Sequence, residues 1–181
     1  MMFGSRPGLA FAARVVPDGA PLDGTNINPM TGLATDFLNH FNEAIMLLEM
    51  LPAMPDCKAD FLAWRPMSYV EHFAASRFSH RDLAIAAYEA ADPIFRRSLD
   101  EIADQMNKIL TATRDGLADD LAPDTIRLLV DATTRWLRPM VARAGTIING
   151  EMTHASPRAD AAVQDSIDAL FADAVEAAVN A

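Results

Sequence analysis

The chain has 181 residues, 51% apolar and 22% charged, with 25 acids against 15 bases and a net charge of −10. That length and apolar share suit one globular domain with its own core and exclude disorder along the whole chain. The acidity opposes binding to nucleic acid or anionic lipid; the single cysteine excludes an internal disulfide and fits a reducing, cytoplasmic setting.

The chain opens on an irregular stretch. Residues 1–30 hold Gly4, Gly8, Gly19 and Gly24 together with Pro7, Pro17, Pro21 and Pro29, which reads as a Gly/Pro-rich N-terminal arm. Its apolar run Leu9–Ala13 meets Arg14 at once and falls short of the ~7–15 apolar residues of a signal peptide. No run approaches the ~20 apolar residues that span a bilayer, so no membrane partner is expected.

Beyond the arm, helical patterns take over and alternating strand patterns are nearly absent. A first helix is predicted over about 33–51, with Leu33, Phe37, Leu38, Phe41, Ala44, Ile45, Leu48 and Leu51 on one face and Pro52 and Pro55 ending it. A short segment from Asp56 to Trp64 follows, with Asp56 as its cap. Ser68-Tyr69-Val70-Glu71 is a capping-box pattern: a hydroxyl for the orphan amides and a carboxylate three residues on. Ser79-His80-Arg81-Asp82 offers a second start signal of that kind, for a helix reaching about residue 91. Asp92-Pro93 opens the fifth helix, about 93–115, where Phe95, Leu99, Ile102, Met106, Ile109 and Thr113 form a narrow stripe suited to coiled-coil-like packing.

The sixth helix, about 124–144, carries Ile126, Leu129, Val130, Thr133, Leu137, Met140 and Ala144 and is expected to fold back on the fifth as an antiparallel hairpin. Pro139 inside it predicts a kink. Residues 148–158 read as a loop. A last helix over about 158–179 places Val163, Ile167, Leu170, Phe171, Ala174 and Val175 on one face. The expected fold is all-α: a single helical-bundle domain of five to seven helices over 31–181, behind the arm.

Two constellations bear on function. Met46, Met50 and Met54 are spaced four apart, and Cys57 follows. Thioethers and a thiolate are soft ligands that would suit Cu(I). At ~100° per residue, however, Met46 and Met50 lie opposite the Phe37/Phe41/Leu48 face, and Leu47 widens the apolar outer side. Methionine is a common gap-filler at adaptable surfaces. The favoured reading is a helix apolar on two sides, whose outer face is buried or meets another subunit.

Asp36, His40 and Glu43 stand at i, i+4 and i+7 along the flank of the same helix. A carboxylate–imidazole–carboxylate line would hold a divalent metal or orient a general base. Closing such a site needs groups from other helices, and the candidates are His72, Glu71, His80 and Tyr69. The di-iron bundle pattern requires two Glu-x-x-His pairs; this chain has one, Glu151 to His154, in an expected loop. Cys57 with His40 or His72 as a thiol–imidazole pair has no local support.

Residues 68–91 read as helix, turn, helix, but the second helix is apolar and acidic where a reading helix needs side chains for base edges, so no nucleic-acid partner is expected. No dinucleotide, phosphate-loop, nucleophile-elbow or zincin motif occurs. Arg135, Arg138 and Arg143, with Arg96 and Arg97, would pair with the acids of residues 115–120 or hold an anion. Trp136 beside them would suit an interface anchor.

These features favour a non-enzymatic cytoplasmic domain that acts by protein association, as a homodimer or with a protein partner. Met46, Met50 and Trp136 are its expected interface residues. The alternative is a bundle that binds a divalent metal or small ligand in a polar pocket around Asp36, His40, Glu43 and His72, with or without enzymatic activity.

Overall fold

A computed structural model of the chain describes Leu22 and residues 25–151. Over these residues the fold is all-α, with six α-helices and no strand beyond one isolated bridge. The helices are α1 (Leu38–Met50), α2 (Lys58–Ala63), α3 (Tyr69–Ala75), α4 (Arg81–Ala90), α5 (Pro93–Ala118) and α6 (Pro123–Ile148). Short 3-10 turns at Thr35–Phe37 and Pro55–Cys57 lead into α1 and α2. The expected helix at 158–179 and most of the expected arm lie outside the described residues. None of the helices is long and apolar enough to cross a membrane.

The residues fall into two compact units, and α1, α5 and α6 contribute to both. The first unit takes the described chain through Phe41, Met67–Asp104 and Val141–Glu151. It begins with a tight turn. Asn28 accepts from Gly32 N at 2.8 Å, its own amide donates to Leu33 O, and Ile27 bridges Ala34. Gly32 holds φ +73°, a left-handed conformation that a side chain would disfavour. Ile27, Leu33 and Ala34 are buried as a result.

The capping box forms as the sequence predicts. Ser68 Oγ accepts from Glu71 N at 3.3 Å, and Ser68 N donates to Glu71 Oε2 at 2.8 Å. Those bonds from Ser68 hold the Glu71 carboxyl below its ordinary value, so this cap is complete at neutral pH and is lost as acid protonates Glu71. Ser68→Ala should lower stability by about 1 kcal/mol, read as a lower thermal midpoint with helix content at room temperature unchanged. Asp92 also caps as expected, its Oδ1 accepting from Ile94 N at 2.9 Å.

The second start signal behaves differently. His80, not Ser79, is the N-cap of α4, and no side chain caps it; Ser79 Oγ bonds instead to His80 Nδ1 at 3.1 Å. Asp56 likewise falls inside the 3-10 turn and does not cap α2.

The last turn of α6 runs past the predicted end to Ile148 and closes in a Schellman motif. Glu151 N donates to Thr146 O at 2.9 Å and Gly150 N to Ile147 O at 3.0 Å, with Gly150 at φ +79°. Thr31 Oγ1 donates to Ile148 O at 2.6 Å, satisfying one more carbonyl of that end.

The second unit takes Asn42–Pro66 and Gln105–Met140. Its core joins Ala44, Ile45 and Leu48 of α1 with Phe61 and Trp64, Met106, Ile109, Leu110 and Leu117 of α5, and Val130, Leu137 and Met140 of α6. α5 and α6 pair antiparallel as predicted. Thr113 Oγ1 meets Thr133 Oγ1 at 3.0 Å, and a Cβ at Gly116 would meet Leu129 Cδ2 at 3.8 Å, so partners step backward on α6 as positions advance on α5. The stripe is buried from Leu99 to Thr113, but Phe95 at its start is half-buried. α5 continues to Ala118, and Lys58 Nζ donates to Asp119 O at 3.0 Å just past its end. Pro139 is accommodated within α6, which stays helical from Pro123 to Ile148.

Candidate functional site

The polar flank of α1 leads into an aromatic cluster in the first unit. Phe37 stands edge-on to Phe41 (centroids 5.4 Å apart) and to His72 (5.7 Å) and lies tilted against Tyr69 (5.1 Å). His40 is buried at 6% exposure, with its ring 5.8 Å from that of His72. The sequence places these groups simply: Phe37 ends the 3-10 turn that leads into α1, His40 and Phe41 follow on the inward side of the first turn of α1, and Tyr69, His72 and Phe73 share one side of α3.

Of the four residues expected to line a polar pocket, the structure therefore brings His40 and His72 together. Asp36 adjoins them in sequence and in effect: its charge is among the influences that raise the Tyr69 hydroxyl, after burial. Asp36 Oδ2 is buried with no hydrogen-bond partner among the described residues. Glu43 belongs to the second unit and is exposed. Among the described residues no group of three or more His, Cys, Asp and Glu side chains is disposed to hold a metal ion. Glu71 is engaged in its capping box, and His80 lies against Phe78 with ring centroids 5.7 Å apart.

Tyr69 does structural work here. Its hydroxyl oxygen accepts from Ala34 N at 2.8 Å, fixing the segment that precedes the first 3-10 turn to α3. Tyr88 of α4 stacks on it, centroids 4.5 Å apart and 13° between planes, and donates to both oxygens of Asp100 at 2.8 Å. The Arg96 guanidinium sits 5.8 Å above the Tyr88 ring. Burial pushes the Tyr69 and Tyr88 hydroxyls well above the ordinary phenol value, with the Asp100 hydrogen bond adding to the shift at Tyr88. Burial also raises Asp100. Sequence reasoning did not connect Tyr88, Arg96 and Asp100. The available signal was Arg96 and Asp100 at i, i+4 on α5, with Tyr88 just before the Asp92-Pro93 break.

The second constellation lies in the second unit. Met46 is 52% exposed and Met50 half-buried, while Ala44, Ile45 and Leu48 of the same helix are in the core. Met54 is 51% exposed, but it sits past Pro52 as the N-cap of the 3-10 turn and does not continue the helical stripe. Cys57 is buried with a free thiol. Arg138 reaches across to α1, its Nε donating to Glu49 Oε1 at 3.0 Å, so it stands next to the methionine stripe.

Several other arginines are engaged locally. Arg127 pairs with Asp124, Arg97 donates to Pro93 O, and Arg96 to Glu89 O. Within the acidic stretch 115–120, Asp115 pairs with its neighbour Arg114 in place of an expected partner on α6. Trp136 is half-buried. No protein-family model matches this chain, and no curated protein or solved structure matches it.

Proposed function

We propose that this protein is a non-enzymatic helical domain of the cytoplasm that acts by association, with a second copy or a protein partner, through the outward face of α1. The observation that carries this reading is Met46: a large thioether, half exposed, on the opposite side of a helix whose other face is core. Scattered exposed apolar residues need no explanation, but a stripe at i, i+4 with Leu47 beside it is the form in which a helix meets another helix. Methionine suits such a surface because its unbranched, polarisable chain adapts to its partner. Arg138 and the half-buried Trp136 belong to residue types enriched where partners dock.

Native mass spectrometry of protein purified without added metal tests the reading directly. A dimer or a co-purified protein is the expected outcome. Met46→Glu with Met50→Glu should weaken that association about a hundredfold, since a carboxylate would be buried without a partner. A monomer at all concentrations, without a co-purifying partner, would sink it.

A second reading rests on Asp36 Oδ2, buried without a hydrogen-bond partner among the described residues, and on the His40–His72 ring pair: a small polar ligand bound in the first unit. The same spectrum decides it, because a bound ligand appears as added mass that His40→Ala removes.

A further inference from the structure

α6 runs out at Ile148, and Asn149 and Gly150 follow. Asn149 is exposed, and no other asparagine in the chain is followed by glycine. A glycine there leaves its own amide nitrogen uncrowded by a Cβ and lets the backbone reach the bent forms that ring closure needs. Asn39 and Asn42 are exposed too, but each lies within α1 and precedes a residue with a side chain, His40 and Glu43.

Hydrogen bonds hold the end of α6 closed. Gly150 N donates to Ile147 O at 3.0 Å, Glu151 N to Thr146 O at 2.9 Å, and Thr31 Oγ1 to Ile148 O at 2.6 Å. While they last, the Gly150 amide is engaged and its φ is held at +79°. Reaction at Asn149 therefore waits for the last turn to open, which costs far less at a helix end than in the interior of α1. Thr31 is fully buried, so its hydroxyl acts as a latch that water does not readily replace.

We propose that Asn149 is a site of spontaneous deamidation, gated by the Thr31 latch, and that the isoaspartyl product leaves the end of α6 open. Gly150 N gives up its proton to solvent and attacks Asn149 Cγ. The N–Cγ bond forms, the Cγ–Nδ2 bond breaks, and ammonia leaves. Water then opens the cyclic imide. Cleavage at the main-chain carbonyl gives the isoaspartyl residue, and cleavage at Cγ gives the aspartyl residue; water enters, ammonia departs and nothing is oxidised. The isoaspartyl link adds a methylene to the main chain just before Gly150, so the Gly150 and Glu151 amides lose their register on Ile147 and Thr146. The new carboxylate also stands beside Glu151 at the negative end of the helix, and the last turn of α6 holds no base to offset it.

Full-length protein incubated at mildly alkaline pH and read by peptide mass tests this. Asn149 should convert about tenfold faster than Asn39 or Asn42, because only its turn opens locally. Thr31→Val should speed Asn149 about fivefold further, the population change that follows loss of one hydrogen bond, and leave Asn42 unchanged. In the isoaspartyl form, separated by ion exchange, the Gly150 and Glu151 amides should exchange hydrogen about tenfold faster than before conversion.

Asn149 converting no faster than Asn39 and Asn42 would overturn the proposal. A wild-type rate in Thr31→Val would remove the latch. Should Thr31→Val speed Asn42 as well, Thr31→Ser decides: the retained hydroxyl restores the wild-type rate if the latch is real, and a rate as fast as that of Thr31→Val overturns it. Unchanged exchange after conversion would show that the cap survives the modification and would overturn the second half of the proposal.

Discussion

Phe37→Ala is expected to lower the unfolding free energy by about 3–5 kcal/mol, the range for deleting a buried phenylalanine. Phe37 is 1% exposed and touches three rings: Phe41, Tyr69 and His72. Each edge-on or tilted pair contributes about 0.5–1.5 kcal/mol beyond the area buried. The surrounding rings sit on α1 and α3, whose backbones cannot collapse far into the space, so a cavity remains. Because single domains have about 5–15 kcal/mol of stability in all, this one change should remove a large share of it. Urea denaturation measures the loss, and Phe37→Leu, which keeps most of the volume, should cost under about 2 kcal/mol. A loss below about 1.5 kcal/mol for the alanine variant would mean that the cluster is not tightly packed.

Tyr69→Phe is the second large effect, and its cause is different. The shape of the ring is kept, but the Ala34 amide loses the acceptor it has at 2.8 Å. Ala34 is fully buried, so water cannot replace the phenol oxygen. An orphaned buried donor costs about 1–3 kcal/mol. The substitution also changes the alkaline limb of stability. The Tyr69 hydroxyl is raised in the folded state, so it contributes stability that is complete below the unfolded phenol value of about 10 and is lost as pH rises past it. Tyr88 is shifted the same way. The phenylalanine variant should therefore be less stable at pH 7 and lose stability less steeply above pH 10. Urea midpoints at pH 7 and pH 10.5 give both quantities; parallel losses for variant and wild type would remove Tyr69 from the alkaline transition.

The fold was legible wherever local chemistry decided it. The α1 core face, the Ser68/Glu71 box, the Asp92 cap and the Thr113-to-Leu99 stripe all follow from spacing, because each depends on residues within one or two turns. Errors came where two local signals competed. Ser79 has the right hydroxyl for a cap, but its side chain bonds to His80. The Asn149-Gly150 stop of α6 is present in the sequence, yet the apolar periodicity alone ends the helix about four residues early.

The site was less legible because it is tertiary. Spacing puts Asp36, His40 and Glu43 on one flank, but it cannot say that His40 turns inward to the His72 ring while Glu43 is exposed. Nor can spacing pair Tyr69 with Ala34, 35 positions apart. Spacing does place Met46 opposite the buried Ala44, Ile45 and Leu48, because a helix with one buried face turns the opposite face outward.

The Thr31 hydroxyl on the Ile148 carbonyl joins positions 117 apart and brings the two ends of the described chain to one place. A Cβ at Gly150 would stand 3.5 Å from Thr31 Cγ2, which shows how close they run. The described chain thus closes on itself within the first unit. A variant with Glu151 linked to Thr25 and new ends opened in the exposed turn at Pro52–Met54 would keep the Thr31–Ile148 bond while changing which helix the ribosome makes first.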